Sequence, residues 1–567
     1  MNLSVYQNDI IDKVVNSKSN VMIQSYAGCG KTSTLVEIMR HLDKNDSKFY
    51  CAFNKDIIFD ISKKTKDIEN IKISTIHSLG LSIILTNNCY KVKLDEFKYS
   101  NELHNNILSY SECFESLGRS EQQKYLSNVK KLSVFCRNNL CDGIKGITNI
   151  AKTFGIIPIG DELEAVKKLL KWGKNNVETI DYTDMVWLPN VLPYSFPHYD
   201  YIFVDEAQDL SVAQQQIVLK CRNMKTRYIF CGDKFQSIYA FSGADSKSFD
   251  NLSNTPNTVT MTLPICYRCD DAIVDFASQI VFGIERNGFE NKGHIDFNGT
   301  IENIKDGDMV LCRNNAPLIQ LYINLLAIGK KCSIMGKEWS DDLIDIINST
   351  SSDNIGSNLM SKGIVSEMYK QLFDTVDYIC NTEKCDVSSA LNSRSCRNII
   401  DTINTIIILS KDISTKEELI KKITEIFDTE SNTDGISLST IHKAKGLERD
   451  NVHILCWSIF DDNIKRMTQD WEKTQELNLK YVAITRAKHE LSIINDEEYM
   501  KYSSSISVND YNAIKKRLEF IESNKPIKPI SEVLKANSKQ PINIIDITKS
   551  NNSVNVASIL NKFKKRR

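Results

Sequence analysis

An apolar run at residues 21–24 leads into the stretch SYAGCGKT at 25–32, and a helical pattern of apolar residues follows. A buried strand, a loop of small residues and a helix start occur in this order in phosphate-binding P-loops. Gly28 and Gly30 would let backbone N–H groups curl around phosphate oxygens, and the helix dipole favours an anion. The pattern predicts an α/β sheet with a phosphate site at its edge.

The side chains of this loop suit a nucleotide with a metal ion. Lys31 would reach the β- and γ-phosphates of ATP, and the Thr32 hydroxyl would ligate Mg²⁺. The candidate nucleotide-binding stretch also contains Gly28, Cys29, Gly30 and Ser33. Ser25 departs from the usual glycine at the first small position. A glycine-rich turn that binds no nucleotide is the alternative interpretation.

An acidic motif, DEAQD at residues 205–209, follows the apolar run at 201–204. Ligands bind at the carboxyl ends of strands in open α/β sheets, so Asp205 and Glu206 would lie at the binding edge. Asp205 would bind the metal together with Thr32, and Glu206 would polarise the attacking water. A solvated acidic strand end is the alternative, but it leaves the coincidence with a P-loop unexplained.

Ten short apolar runs predict two parallel α/β sheets, each with its strands followed by helices. They lie at 21–24, 49–53, 71–75, 201–204, 228–231, 309–312, 332–335, 436–440, 452–456 and 491–494. About 170 residues separate Lys31 from Asp205, more than one simple domain needs. Each sheet is therefore expected to carry a mainly helical insertion.

Composition excludes several classes of protein. The 71 basic and 72 acidic residues leave a net charge of −1, so an anionic polymer would have to bind to local patches. No apolar run approaches the ~18 residues of a membrane span, which predicts a protein without a membrane segment. The 16 cysteines include one C-x-x-C pair, Cys266 and Cys269, whereas a zinc site usually needs two pairs. We expect reduced thiols in an intracellular protein.

Residues 231–244 read CGDKFQSIYAFSGA and resemble motif III of superfamily 1 helicases of the UvrD/Rep/PcrA type, and DEAQD resembles motif II. Further stretches match in order: TIHSL at 75–79 (motif Ib), YR at 267–268 (motif IV), TIHKAKGLE at 440–448 (motif V) and YVAITRAK at 481–488 (motif VI). The resemblance covers residues 1 to about 500. Motifs V and VI are closest to the F-box DNA helicase branch, although no F-box is apparent.

The resemblance implies two RecA-like P-loop domains with parallel sheets, each carrying a mainly helical inserted subdomain. The implied divisions are 1–84 and 186–255 for domain 1A, 85–185 for insertion 1B, 256–340 and 426–500 for domain 2A, 341–425 for insertion 2B, and 501–567 for a polar tail. Insertion 2B has about 85 residues and would be smaller than in full-length relatives. The tail is expected to be partly disordered.

The resemblance also implies nucleotide contacts outside the P-loop. Gln7 would hydrogen-bond the adenine of ATP, and Tyr267 would stack on it. Gln236 would sense the γ-phosphate, and Glu448 would approach the ribose or the γ-phosphate. ATP and Mg²⁺ are therefore the expected substrate and cofactor.

Catalysis in the family divides between two α/β domains. Lys31 and Glu206 would act from the first, with Glu206 as the catalytic base. Arg268 and Arg486 would come from the second as arginine fingers, which can raise the rate ~10³–10⁵-fold. Arg313 is a further candidate for the same cleft. An ordinary surface ion pair is the alternative for each arginine taken alone.

The family binds single-stranded DNA partly by stacking aromatic residues on bases, which tolerates any sequence. The implied DNA-binding residues are Phe53, Asn54, His77, Ser78, Tyr239, Phe241 and His442. Core packing is the alternative for Tyr239 and Phe241. Phe53, Asn54 and Lys55 lie where the family has motif Ia. Relatives often have the aromatic residue at another position of this motif, so Phe53 matches the family less well. The two histidines and Ser78 suit phosphate or motif-coupling contacts.

The chain is thus expected to be an ATP-driven single-stranded DNA translocase and helicase. The expected polarity, 3′→5′, comes from the family alone, and the expected partners are single-stranded DNA and single/double-strand junctions. Two alternatives use the same motor: stripping proteins from DNA, or driving a nucleic-acid defence or recombination complex that has a separate nuclease. An RNA motor fits less well.

The carboxyl-terminal residues suggest one more partner. Residues 556–560 read VASIL, and the basic cluster KFKKRR ends the chain at 562–567. This segment could dock a clamp or another replication or recombination protein, or it could hold DNA. A solvated tail end is the alternative.

Overall fold

The computed structural model describes residues 3–52, 55–88, 91–108, 111–238, 245, 247–288, 292–357, 359, 362–427, 435–467, 470–502 and 505–522. The chain forms two compact units, Met1–Asn291 and Lys292–Arg567. Strands and helices are numbered below in chain order, and each unit is described by itself.

Strands of the first unit form one large parallel sheet and two short pairs. The strands are β1 (Asn20–Ser25), β2 (Lys48–Ala52), β3 (Ile71–Thr75), β4 (Lys93–Leu94), β5 (Thr179–Ile180), β6 (Tyr199–Val204), β7 (Arg222–Gly232), β8 (Thr258–Leu263), β9 (Ile265–Cys266) and β10 (Glu285–Arg286). The large sheet has the order β3-β2-β6-β7-β1-β8. Every residue of β1 and β2 is buried, which explains the apolar runs at 21–23 and 49–52 inside them.

Helices of the first unit pack on this sheet or form the insertion between β3 and β6. They are α1 (Val5–Asn16), α2 (Lys31–His41), α3 (Lys55–Lys64), α4 (Ile76–Asn87), α5 (Lys98–Glu102), α6 (Glu112–Ser116), α7 (Arg119–Asn138), α8 (Gly143–Thr153), α9 (Glu162–Asn175), α10 (Tyr182–Val191), α11 (Val212–Lys220), α12 (Ser248–Ser253) and α13 (Asp271–Ser278). A core that includes Leu132 of α7 and Leu169 of α9 joins the insertion to α4 and α10.

The second unit contains a parallel sheet of the order β11-β16-β15-β12-β14-β13. Its strands are β11 (His294–Asp296), β12 (Met309–Cys312), β13 (Cys332–Ile334), β14 (Ile436–Thr440), β15 (Arg449–Leu455) and β16 (Ala487–Ile494). Its helices are α14 (Asn315–Ala327), α15 (Lys337–Ser349), α16 (Ile364–Glu383), α17 (Val387–Leu391), α18 (Arg394–Leu409), α19 (Lys416–Phe427), α20 (Ser458–Arg466), α21 (Asp470–Ile484), α22 (Glu497–Met500) and α23 (Val508–Glu522). Helices α15–α19 form the insertion between β13 and β14. Within the described ranges, no helix is both long and apolar enough to cross a membrane.

The predicted fold class is confirmed. Two α/β units have parallel sheets, and helices interrupt each of them between strands. All ten apolar runs coincide with strands. The ten runs leave out β8 and β11, which lie at edges of the two large sheets, and the short paired strands β4, β5, β9 and β10. Strand β8 alternates polar and apolar residues because one face of an edge strand meets solvent, so it lacks the continuous apolar run used for the prediction.

The chain passes from the first unit to the second later than predicted. The sequence reading assigned residues from 256 onwards to the second domain. In the structure β8 pairs with β1 along its whole length, from Asn20↔Thr258 to Ser25↔Leu263. The first unit then continues through α13 to Asn291. Backbone pairing therefore keeps Tyr267 and Arg268 in the first unit.

Part of the predicted polar tail is an ordered helix. Helix α23 buries Tyr511, Ile514, Leu518 and Ile521, a spacing of three and four residues that forms one apolar face. The Tyr511 ring meets Phe373 of α16 edge-on at 5.1 Å. A tail that is only partly disordered was expected, and this helix was not assigned in it, because overall polarity was weighed above periodicity. Residues 523–567, with the proposed docking segment, lie outside the described residues.

Candidate active site

The loop between β1 and α2 has the backbone shape that its sequence predicts. Gly28 and Gly30 have φ of +65° and +77°, values that favour glycine. A Cβ added at Gly28 would lie 2.5 Å from the Arg268 Cβ, so this position requires glycine for space as well. Lys31 begins α2 directly after Gly30, which brings its side chain to the carboxyl edge of the sheet.

Three predicted residues meet at that edge. The Lys31 Nζ lies 2.8 Å from Glu206 Oε1. Asp205 follows β6, and its carboxylate accepts hydrogen bonds from the Tyr50 hydroxyl at 2.8 Å and from the Glu206 backbone N–H at 2.9 Å. Glu206 has a φ of +51°, which is uncommon for a residue other than glycine, and such strained residues are enriched at functional sites. The structure thus brings Lys31, Asp205 and Glu206 together.

Burial and neighbouring charge control ionisation in this cluster. Burial and the Glu206 carboxylate raise the pKa of Asp205, although Lys31 opposes the shift. Burial raises the pKa of Asp233, at the end of β7, to about 6. Burial alone would lower the pKa of Lys31, but Glu206 and Asp205 raise it above its usual value. Lys31 therefore stays charged among carboxylates that repel one another.

A chain of hydrogen bonds links motif II to motif III. Gln208 Nε2 donates to Glu206 Oε2 at 2.6 Å, while Gln208 Oε1 accepts from the Asp233 backbone N–H at 3.0 Å. Gln236 Nε2 donates to Asp233 Oδ2 at 2.8 Å. Asp233 and Gln208 thus connect the predicted sensor Gln236 to Glu206. The glutamine inside DEAQD was the signal that could have identified Gln208 as a positioning residue.

The carboxylates and hydroxyl at this edge fit a magnesium ion. Mg²⁺ prefers hard oxygen ligands and usually takes one or two carboxylates. Asp205, Glu206 and Asp233 carry more negative charge than Lys31 balances, and the raised pKa values of Asp205 and Asp233 reflect burial and repulsion. A divalent cation at Asp205 and Thr32 would relieve that repulsion.

Gln7 and Tyr267 occupy different environments. Gln7 is 4% exposed: its Oε1 accepts from the Ser4 backbone N–H at 2.9 Å, and its Nε2 donates to Thr34 Oγ1 at 2.9 Å. Both polar ends of Gln7 therefore have partners, one at the N-cap of α1 and one in α2. Tyr267 is 42% exposed, and its backbone N–H donates to the Gly28 carbonyl at 2.9 Å. The Tyr267 ring is thus available beside the P-loop.

The predicted nucleotide residues of the second unit, Arg486 and Glu448, both have partners within that unit. Arg486 is 1% exposed and donates to the carbonyls of Val482 at 2.9 Å and Leu447 at 3.1 Å. Glu448 pairs with Lys488 at 3.2 Å. Arg486 therefore ties the end of motif V to motif VI inside this unit.

The DNA-binding candidates are only partly described. Thr75 Oγ1 caps α4 by accepting from the Ser78 backbone N–H at 3.1 Å, and Ser78 is exposed. Burial lowers the pKa of His77. Burial, with the positive charges of Arg313 and Arg394, lowers the pKa of His442 well below its usual value, so His442 is neutral. Phe53, Asn54, Tyr239 and Phe241 lie outside the described residues.

Known proteins match both units. Residues 7–257 match the UvrD/REP helicase N-terminal domain, and residues 435–494 match the UvrD-like helicase C-terminal domain. "F-box DNA helicase protein 1" of Schizosaccharomyces pombe is 26% identical over 87% of this chain and 57% of its own length. "F-box DNA helicase 1" of Gallus gallus is 24% identical over 87% of this chain and 49% of its own length. "ATP-dependent DNA helicase PcrA" of Bacillus subtilis is 23% identical over 58% of this chain and 59% of its own length.

The chain spans about half to three fifths of the length of these curated relatives. The matched segments occur in the family's order, one on each α/β unit, and the first contains the Lys31, Asp205 and Glu206 cluster. The chain belongs to the UvrD/Rep-like family of superfamily 1 helicases.

Proposed function

We propose that this protein is a Mg²⁺-dependent ATPase that moves along single-stranded DNA in the 3′→5′ direction and separates duplex DNA. The main support is the junction of Lys31, Asp205 and Glu206 at the carboxyl edge of the first sheet, with Lys31 2.8 Å from Glu206. The names of the relatives, which include ATP-dependent DNA helicases, support the choice of ATP and DNA.

ATP would bind through exchange of the Lys31 partner. The ammonium now pairs with Glu206, and a triphosphate in the loop would compete for it with several anionic oxygens. Glycine at 28 and 30 allows backbone N–H groups to approach the phosphates. Tyr267 would stack on the base. Its ring is exposed, and its backbone hydrogen bond to the Gly28 carbonyl holds the residue beside the loop.

Hydrolysis would follow once Lys31 releases Glu206. Glu206 Oε2 remains held by Gln208, so its other oxygen could accept a proton from the attacking water. Bound Mg²⁺, held by Thr32 and Asp205, would neutralise charge on the phosphates. Arg268 lies against the loop through Gly28, and we propose that Arg268 and Arg486 assist charge stabilisation.

Gln208 offers a route by which hydrolysis could affect DNA contacts. It bonds both the proposed base, Glu206, and the backbone of Asp233, where motif III begins. If Glu206 changed its hydrogen-bond partners, Gln208 could therefore transmit the change to Asp233. In the sequence, Asp233 precedes Tyr239 and Phe241, the proposed base-stacking residues. His77, Ser78 and His442 are proposed to contact the DNA backbone or couple the motifs.

Steady-state ATP hydrolysis with and without single-stranded DNA tests this function, and Glu206→Gln is the control. We expect strong stimulation by DNA in the wild type. Loss of a general base should lower kcat by ~10²–10⁴-fold in the variant. ATP binding should persist in Glu206→Gln because Lys31 is retained. Hydrolysis that ignores both DNA and this substitution would refute the proposal.

Strand separation is tested with duplexes that carry a 3′ or a 5′ single-stranded tail. Unwinding of the 3′-tailed duplex alone supports the proposed polarity. Rapid DNA-stimulated hydrolysis without unwinding of either duplex would show that the motor acts on proteins bound to DNA or requires a partner.

A further inference from the structure

Helix α18 of the second insertion directs one face towards the start of α14. Asp401 on this face accepts hydrogen bonds from the backbone N–H groups of Asn315 at 3.1 Å and Ala316 at 3.2 Å. Arg397 and Arg394 precede Asp401 by four and seven residues, and residues so spaced share a helix face. The register therefore brings both arginines beside Arg313, which directly follows β12.

Arg397 is the unusual member of this group. It is 6% exposed, and its Nε is fully buried with no hydrogen-bond partner among the described residues. No hydrogen bond or ion pair from the rest of its guanidinium is observed within those residues either. Buried polar groups are nearly always paired, and an arginine has five N–H donors to satisfy. Such a group indicates a missing ligand.

Glu476, a carboxylate whose charge acts on Arg397, is already engaged. Glu476 is 1% exposed and accepts from Arg313 Nε at 3.0 Å and 3.1 Å on its two oxygens, and from Asn463 at 2.8 Å. The other charges acting on Arg397 are those of Glu472, Arg313 and Arg466. Burial and the Arg313 charge lower the pKa of Arg394 to about 10 and also lower that of Arg397. Among the described residues, the arginines Arg313, Arg394, Arg397 and Arg466 thus outnumber the carboxylates Asp401, Glu472 and Glu476 by one.

The amino end of α18 adds to this field. The helix has 16 residues and begins at Arg394, so its positive dipole end coincides with two arginines. Basic residues normally stabilise the opposite end of a helix. An anion held here would contact the helix start and the planar, forked guanidinium groups, which match phosphate oxygens.

We propose that Arg397, with Arg394 and Arg313, forms a binding site for one backbone phosphate of single-stranded DNA. The inference rests on the proposed function, because it assumes that this chain binds a strand. It extends the candidate DNA contacts to the helical insertion. Arg397 would gain the partner that the described residues do not provide, and the contact would carry no sequence preference.

The salt dependence of binding to oligothymidylate tests the site. Each phosphate contact on a single strand contributes ~0.7 to the slope of log Kobs against log salt concentration. We expect Arg397→Gln to reduce the slope by about this amount and to weaken binding equally for other base sequences. Arg397→Lys should recover part of the loss, since it restores charge without the fork. Lys421→Gln, at an exposed site on α19, removes one charge from the same insertion and should keep the wild-type slope.

A second measurement uses oligothymidylate with one uncharged methylphosphonate linkage, moved along the strand. One position should weaken the wild type and leave Arg397→Gln unaffected. If Arg397→Gln fails to fold, the same two measurements are made on Arg394→Gln, and the same changes are expected. Wild-type slope and the same methylphosphonate pattern in a folded variant would overturn the site while the proposed function stands. A wild type that neither binds the strand nor shows DNA-stimulated hydrolysis would overturn both.

Discussion

Both helical insertions contain a buried arginine, but the two arginines differ in whether acidic side chains neutralise their charge. In the first insertion, Arg137 is 1% exposed and pairs with Asp181 at 2.7 Å and Asp184 at 2.9 Å. In the second, Arg397 is 6% exposed, and its guanidinium has no hydrogen-bond partner among the described residues. Burial alone therefore does not identify a structural charge. The partners decide whether a buried arginine stabilises its own fold or has an energetic cost that a ligand could offset.

The first insertion distributes one carboxylate among three donors. Asp184 also accepts from Lys98 Nζ and from the Tyr99 hydroxyl, each at 2.6 Å. The Arg137 guanidinium lies 3.8 Å from the centre of the Tyr99 ring. This network fixes α5, α7 and α10 relative to one another. The difference between the insertions can be tested by substitutions whose effects should differ in sign.

Asp184→Ala should have the largest effect. It removes the shared carboxylate and leaves Lys98 and Arg137 buried with Asp181 as their remaining acidic neighbour. Breaking a buried ion pair costs about 4 kcal/mol of unfolding free energy. Hydrogen exchange of the α7 and α10 amides should accelerate accordingly. Glu164→Ala is the control, because its exposed pair with Lys167 contributes only ~0.5 kcal/mol. Equal effects would contradict the structural role of the network.

Glu162 should make the stability of the first insertion depend on pH. It is fully buried, Asn128 donates to both of its oxygens at 3.1 Å and 3.2 Å, and burial raises its pKa to about 8. The folded pKa exceeds the unfolded value of 4.5, so the stabilisation present below pH 4.5 is lost as pH rises through 8. At ~1.4 kcal/mol per pH unit, about 3 kcal/mol should be lost between pH 4.5 and 7.

Urea unfolding of the wild type and Glu162→Gln across this pH range measures the effect. The variant should lack this part of the pH dependence. Glu164→Gln, on the same helix but exposed, should follow the wild type. Parallel curves for the wild type and Glu162→Gln would refute the prediction.

Tyr99→Phe should have an intermediate effect. The substitution removes the hydroxyl that donates to Asp184 and keeps the ring beside Arg137 and Trp172. A hydrogen bond to a charged group contributes about 2 kcal/mol. The urea midpoint should fall by that equivalent. Tyr182→Phe alters an exposed tyrosine at the start of α10 and should change little. A similar loss in both variants would show that the bond to Asp184 is unimportant.

Arg397→Met should have the smallest effect and the opposite sign. Replacing a buried charge that lacks partners with an apolar side chain should raise the unfolding free energy by about 1 kcal/mol. Hydrogen exchange of the α18 amides in DNA-free protein should slow. Arg137→Met is the matched comparison and should destabilise, because it leaves Asp181 and Asp184 with less compensation. Destabilisation by both would remove the distinction between the insertions.

Short-range sequence patterns account for much of the fold. Strand β1 and the helix start at Lys31 follow from an apolar run, glycines and a lysine in a fixed order. Strand β8 could not be assigned in this way, because its membership depends on pairing with β1, far away in the sequence. Helix α23 did carry a readable signal, the spacing of Tyr511, Ile514, Leu518 and Ile521, within a polar background.

The candidate site likewise contains residues that local motifs predict and residues that are identified only by their distant neighbours. Lys31, Asp205 and Glu206 were predicted from local motifs, and the structure brings them together. Tyr50 was not, since it reads as a core residue of β2. Only the pairing of β2 with β6 carries its hydroxyl to Asp205. Arg397 likewise looks like an ordinary residue of an amphipathic helix until its distant neighbours are known.

Helix α16 depends for part of its packing on residues made much later. Tyr511 meets Phe373 at 5.1 Å, and Lys515 pairs with Asp377 at 3.0 Å across a sequence separation of 138 residues. A ribosome adds roughly 5–20 residues per second. The apolar side of α16 that α23 covers therefore stays uncovered for on the order of ten seconds during synthesis. During that delay the uncovered apolar surface is accessible to chaperones, to proteases and to neighbouring nascent chains on a polysome.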